Sequence, residues 1–173
     1  MVFPTLLLIA LVADTRGCVC DPGRPETMED RMCSLSRIAS EQPATPAVFF
    51  VQDSNPTKPN RWLAIPRALD HTIQEMSTTE RNAYWTAAIE KARSLWKDQW
   101  AIAINGEERR TQCQLHAHIG KLLETADKSG GEVVSRVEDI PVPPAETGIW
   151  IHPEGSGYRV HTGGIVNEPV LMR

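Results

Sequence analysis

A ten-residue stretch in the second half of the chain alternates polar and apolar residues with the period of a β-strand. It reads Arg-Thr-Gln-Cys-Gln-Leu-His-Ala-His-Ile, from Arg110 to Ile119. Successive side chains of a strand point to opposite faces, so four polar side chains would share one face: Gln112, Gln114, His116 and His118. The opposite face would be apolar: Cys113, Leu115, Ala117 and Ile119. The pattern predicts a strand with one face on a core and two imidazoles on the other.

Local signals elsewhere predict more strands and one long helix. Apolar runs at 47–52, 62–65 and 100–104 are typical of strands, and short strands are expected at 148–152 and 158–161. Ser77-Thr78-Thr79-Glu80 is a capping box that opens a helix. Its buried stripe would be Tyr84, Ala88, Ala92 and Leu95, widened by Trp85, Ile89 and Trp96. A short helix is expected over Lys121–Lys128, and His152 is expected in a loop.

The order of these elements predicts an α+β fold. Strands joined by short hairpin connections pair in antiparallel fashion. The expected architecture is an antiparallel sheet with one long helix packed on it and a small C-terminal β extension. Residues 46–173 would form this domain, and residues 18–45 a linker with a short helix.

The N-terminus predicts export. Met1–Ala13 is an apolar run, shorter than the roughly 20 residues that span a bilayer and typical of a secretory signal. Residues 1–17 are therefore predicted to be a signal segment, and the protein to be exported, periplasmic or attached to the envelope. Membrane association would come through the N-terminus, with Cys18 as an alternative lipid-anchored cysteine. A cytoplasmic protein is the remaining alternative.

The four cysteines allow more than one interpretation. Cys113 would be a buried free thiol on the apolar face of its strand. Cys18, Cys20 and Cys33 lie in a polar segment and would form a disulfide in an exported protein, or serve as zinc ligands. The sequence does not fix their connectivity.

Charge excludes one class of partner. The formal net charge is −4 and no dense run of Lys and Arg occurs, so a nucleic-acid polymer is not expected as a partner. The paired histidines leave other readings open. They could belong to a solvated strand face, or ligate zinc with a third ligand from His71, His152 or His161.

The stretch from Val48 to about Leu122 resembles the histidine-triad (HIT) superfamily. Three features carry the resemblance: the strand Trp62–Pro66, Asn105 at the end of a strand, and the alternating run Gln114–Ile119. Gln114 stands where that superfamily has its first histidine. Within the superfamily the chain looks most like a short CDP-diacylglycerol pyrophosphatase, and Glu168–Arg173 resembles the C-terminal end of that family.

The resemblance implies hydrolysis of a nucleotide pyrophosphate without a cofactor or metal. His116 would attack phosphorus and carry the nucleotidyl group, and His118 would contact a phosphate oxygen. Substrate would be bound by five further side chains: Asn105, Gln112, Gln114, Arg110 and His71. The substrate would be a nucleotide or a nucleotide-lipid such as CDP-diacylglycerol, and a homodimer is an expected assembly. The alternatives are a nucleotide-binding module without turnover and a metal-dependent hydrolase.

Overall fold

The structure is a computed structural model that describes residues 15–43, 45–69, 72–144 and 146–172. The described residues form one antiparallel seven-stranded sheet in the order β1-β2-β4-β3-β6-β7-β5. Its strands are β1 Val48–Gln52, β2 Trp62–Pro66, β3 Trp100–Ile104, β4 Ala117–Lys121, β5 Glu132–Val134, β6 Ile149–Glu154 and β7 Gly157–Thr162. Two α-helices accompany it, α1 Ser34–Glu41 and α2 Thr78–Trp96. The predicted α+β class is confirmed.

Helix α2 begins at the predicted capping box. The Ser77 hydroxyl accepts a hydrogen bond from the Glu80 backbone N–H at 3.3 Å, and the Glu80 carboxylate accepts one from the Ser77 N–H at 2.8 Å. The buried stripe packs on the sheet through Tyr84, Trp85, Ala88, Ile89 and Ala92. Leu95 was predicted to belong to this stripe but is 40% exposed. Trp96, one full turn after Ala92, takes the position against the core instead.

The opposite face of the sheet is covered only in part. Leu35 and Ala39 of α1 pack on Leu63 and Ile65 of β2. Leu171, near the C-terminus, packs on the β3–β6 side of the same face. Between α1 and the C-terminal segment this face of the sheet forms the floor of a cleft.

The predicted helix over Lys121–Lys128 is wrong. Lys121 still pairs with Trp100 as the last residue of β4. Leu122 then forms a bridge with Leu171, and its N–H donates to the Gln99 carbonyl at 2.8 Å. Because these backbone groups bond to distant parts of the chain, they are not available for helical hydrogen bonds.

His152 is not a loop residue. It lies in β6, is 2% exposed, and stacks on Trp150 with ring centroids 5.2 Å apart. The β6–β7 hairpin extends through Pro153, so the proline does not end the strand. The hairpin itself confirms the two predicted C-terminal strands.

The segment expected to be a linker contains one internal disulfide and is tied to the sheet domain by a second. Cys20 bonds to Cys33, and Cys18 bonds to Cys113 across 95 positions of sequence. The prediction of a free thiol at Cys113 is therefore wrong. A sulfur in a disulfide cannot also carry a thioether lipid, so the lipid-anchor alternative at Cys18 does not hold in this structure.

Two disulfides point to an oxidising environment, as exported proteins meet. Thr15–Gly17, assigned from sequence to the leader, form a 3₁₀ turn whose Thr15 hydroxyl donates to the Glu107 carbonyl at 3.1 Å. No helix in the described part of the chain combines the length and apolarity needed to cross a bilayer.

Replacing Ser77 by alanine should lower the free energy of unfolding by about 1 kcal/mol, because the Glu80 N–H loses its acceptor. Urea denaturation followed by circular dichroism measures the change. Thr86→Ala, at an exposed position in the middle of α2, is the control and should be neutral or slightly stabilising. Equal effects of the two substitutions would contradict the role of the cap.

Candidate functional site

A cleft of about 470 Å³ opens on the sheet face opposite α2. His118 lies on β4 between Leu63 of β2 and Ala103 of β3. Ala117 and Ile119, its neighbours in sequence, point into the core under α2. Segments from four parts of the chain line the cleft with the histidines: Arg31, Ser34 and Leu35; Asp53, Ser54, Asn55, Lys58 and Leu63; Asn105 and Arg109–Gln112; and Glu168.

His116 is held in one tautomer. Its Nδ1 lies 2.9 Å from the backbone carbonyl of Gln114. A carbonyl oxygen only accepts, so Nδ1 carries the proton and Nε2 has a free lone pair. Among the described residues, Nε2 has no hydrogen-bond partner.

Burial keeps the His116 ring neutral. The side chain is 5% exposed. Burial lowers the pKa of His116 to about 4; the Gln114 carbonyl opposes this shift and the Arg110 charge adds to it. At neutral pH the ring is therefore a neutral imidazole, with its one proton on Nδ1.

His118 lies beside His116 in a different environment. The ring centroids are 5.1 Å apart and the rings are nearly perpendicular. Burial holds the pKa of His118 well below its ordinary value; a proton added to His116 and the charges of Lys58 and Arg61 act in the same direction. Its Nε2 is 3.6 Å from Oε2 of Glu168.

The lining of the cleft has more positive than negative groups. Two carboxylates, Asp53 and Glu168, face four cations: Arg31, Lys58, Arg109 and Arg110. Such an excess attracts an anionic ligand. The cleft therefore presents a neutral imidazole nitrogen in surroundings that favour an anionic group.

Two carboxamides expected to contact substrate have structural partners instead. Gln112 lines the cleft, but its Oε1 accepts from Ser34 and Leu35 and its Nε2 donates to the Arg31 carbonyl. Gln114 is fully buried outside the cleft lining. Its Nε2 donates to the carbonyls of Pro66 at 2.9 Å and Ala68 at 2.7 Å.

Gln114 leaves the predicted face because the strand is shorter than the pattern. The chain adopts strand geometry only from Ala117 onward, so strict alternation does not extend back to Gln112. Cys113 likewise leaves the core face and packs with Cys20, Cys33 and Met28.

Asn105 and Arg110 both line the cleft. Oδ1 of Asn105 accepts from the backbone N–H groups of Asn167 at 2.8 Å and Glu168 at 3.0 Å, so it anchors the C-terminal segment. Arg110 donates to Thr15 Oγ1 at 3.3 Å, and burial lowers the pKa of its guanidinium. His71 lies outside the described residues.

Sequence reasoning gave no role to Lys58, Arg61 or Glu168. Lys58 and Arg61 both lie in the β1–β2 loop, about 110 residues before Glu168 in the chain. No local period connects such positions. In the sequence, the one feature that singled out Glu168 was the resemblance of Glu168–Arg173 to the C-terminal end of the CDP-diacylglycerol pyrophosphatases, and that resemblance assigns Glu168 no function.

Within the described part of the chain, His116 and His118 have no third side chain placed to complete a metal site with them. There, the one group of three or more His, Cys, Asp or Glu side chains close enough to hold an ion is Cys20, Cys33 and Cys113. All three sulfurs are in disulfides. His152 and His161 instead stack with Trp150 on β6 and β7.

Comparison with known proteins gives no match to a family model, to a curated protein or to a solved structure.

The Cys18–Cys113 disulfide should contribute more to stability than Cys20–Cys33. It closes a loop of 95 residues, against 13 for the other, and closing longer loops constrains the unfolded chain more. Cys18→Ser/Cys113→Ser should lower the free energy of unfolding by about 2–4 kcal/mol. Urea denaturation measures this, with Cys20→Ser/Cys33→Ser as the matched variant. A larger loss in that second variant would contradict the expected order.

Proposed function

We propose that the protein is a hydrolase that cleaves a pyrophosphate-linked nucleotide through a nucleotidyl group carried on His116. One observation carries the proposal. The Gln114 carbonyl holds the proton of His116 on Nδ1, which leaves the Nε2 lone pair available in a cleft with an excess of cations.

The reaction has two displacements at the same phosphorus atom. In the first, the Nε2 lone pair forms a P–N bond, and the P–O bond to the second phosphoryl group breaks with its electron pair on the leaving oxygen. In the second, water forms a P–O bond, releases a proton to solvent, and the P–N electron pair returns to Nε2. The products are a nucleoside monophosphate and the remaining phosphate ester.

The dimensions and lining of the cleft favour the nucleotide part of a substrate. Its volume of about 470 Å³ falls among the usual sizes of small-molecule sites. Charged and polar residues line most of it. With CDP-diacylglycerol as substrate, the diphosphate would bind inside and the acyl chains would remain outside.

The proposed location is outside the cytoplasm, in the periplasm or at the envelope. The two disulfides support an oxidising compartment, and the apolar run at the N-terminus supports export. A lipid substrate would be encountered there at the membrane surface.

A nucleotide-binding module without turnover is the second candidate. The observation in its favour is Gln114, whose amide is bound by Pro66 and Ala68 and does not reach the cleft. Nucleotide binding without a trapped adduct on His116 would support this candidate.

His116→Ala should abolish hydrolysis because, among the described residues of the cleft, His116 is the imidazole whose Nδ1 proton is fixed by a backbone carbonyl, which leaves Nε2 free to attack. Purified wild type and variant are incubated with CDP-diacylglycerol and with dinucleotide polyphosphates, and release of CMP or AMP is measured. Acid-quenched wild type should carry a nucleotidyl adduct on His116 by mass spectrometry. His161→Ala, outside the cleft lining, is the control and should keep its activity. Unchanged turnover by His116→Ala would remove the nucleophile assignment.

The value of kcat/KM for hydrolysis should stay high under mildly acidic conditions. The neutral form of His116 is the active one, and its pKa is lowered to about 4, so kcat/KM should fall only as the pH drops through about 4. An unperturbed histidine would lose activity near pH 6.5. The pH profile of kcat/KM measures this. An acid limb near 6.5 would show that the free protein does not keep His116 buried and neutral.

A further inference from the structure

The C-terminal segment places one firmly held carboxylate beside His118. The Glu168 backbone N–H donates to Asn105 Oδ1 at 3.0 Å, and its carbonyl accepts from Arg61 Nη2 at 3.1 Å. Its Oε2 accepts from Lys58 Nζ and from Arg61 Nη1, both at 2.8 Å. Arg61 is 2% exposed and also bonds to the carbonyls of Leu171 and Met172. Both the backbone and the carboxylate of Glu168 are thereby fixed.

The same oxygen faces His118. Oε2 of Glu168 lies 3.6 Å from His118 Nε2, beyond a direct hydrogen bond but close enough for a strong electrostatic effect. A proton on Nε2 would be attracted by the carboxylate, whereas a lone pair on Nε2 would be repelled.

The other ring nitrogen does not compete for the proton. His118 Nδ1 is buried and makes no hydrogen bond in the described part of the chain. A proton there would be a buried donor with no acceptor, while Nε2 would present its lone pair to the carboxylate. The remaining charges facing the ring, on Lys58 and Arg61, disfavour a second proton.

We propose that Glu168 is a positioning residue that holds His118 in the Nε2–H tautomer, opposite to the Nδ1–H tautomer of His116. The backbone carbonyl of Gln114 sets the proton of His116, and the carboxylate of Glu168 sets that of His118. The cleft thus presents one unprotonated nitrogen and one N–H donor side by side.

The kinetic consequence rests on the function proposed above. An N–H on His118 Nε2 can donate a hydrogen bond to a phosphate oxygen or to the leaving oxygen as its charge develops. Two adjacent neutral imidazoles in the same tautomer would present to the cleft either two lone pairs or two N–H donors. Glu168 makes them different.

Nitrogen-15 NMR of the full chain, with both disulfides formed and histidine labelled, tests the tautomers without any substrate. Long-range proton–nitrogen spectra distinguish a protonated ring nitrogen from an unprotonated one, and His118→Ala identifies the His118 signals. In wild type, Nε2 of His118 and Nδ1 of His116 should be protonated. A His118 proton on Nδ1 in wild type would overturn the proposal, whatever any variant does.

Two substitutions of Glu168 test the cause. Glu168→Ala should shift His118 to a mixture of tautomers and leave His116 protonated on Nδ1, where the Gln114 carbonyl holds the proton. Glu168→Gln keeps the size of the side chain and an acceptor oxygen, so it should shift the His118 tautomer less. This variant serves as the test if Glu168→Ala does not fold. Glu124→Gln, at an exposed position outside the cleft lining, is the control. Unchanged His118 signals in folded Glu168 variants would refute the role of the carboxylate.

Kinetics separates this inference from the proposed function. With an active wild type, Glu168→Gln should lower kcat about 10- to 100-fold with little change in KM, because losing one transition-state hydrogen-bond donor outright costs about 100- to 1000-fold and the variant loses the His118 donor only in part. An inactive wild type with the expected tautomers would refute the hydrolase and leave the positioning role intact. If the wild type is active but Glu168→Gln keeps the same His118 tautomer and the same kcat, the positioning role is refuted and the hydrolase proposal remains.

Discussion

Strand β4 is hydrogen-bonded on both sides, to β2 and to β3, and this pairing determines the orientation of every side chain along it. Ala117 and Ile119 are buried under α2, so the strand cannot slip by one residue without moving them to the open face. His118 must therefore point to that face. Its cross-strand neighbours, Leu63 and Ala103, are uncharged. The register of one central strand thus places an imidazole at the base of an open cleft.

The walls of that cleft come from segments that are distant in sequence, and each is attached by specific bonds. The wall formed by the segment before β1 is joined to the loop before β4 by the Cys18–Cys113 disulfide and by the amide of Gln112. The C-terminal wall is held by Asn105 and Arg61. Polar residues that looked available for substrate therefore hold the walls in place. A cleft with fixed walls keeps its charged groups preorganised for a ligand.

The electrostatics of the cleft give two neighbouring imidazoles different properties. Burial lowers the pKa of both His116 and His118, so both are neutral near pH 7. Their partners differ: a backbone carbonyl for His116 and the carboxylate of Glu168 for His118. Lys58 and Arg61 compensate the charge of Glu168, so the carboxylate does not make the cleft repel anions.

By itself the sequence determined the elements whose signals are local: the capped helix α2, strands β1 to β3, the β6–β7 hairpin, and the shared face of His116 and His118. Such signals depend on residues within a few positions of each other, through backbone geometry and period. Tertiary structure alone decided that Gln114 turns away from the cleft, that Cys113 forms a disulfide, and that Glu168 reaches His118. The partners of these side chains lie about 50 to 95 positions away and are brought near only by packing of the sheet. Periodicity carries no information about contacts over such distances.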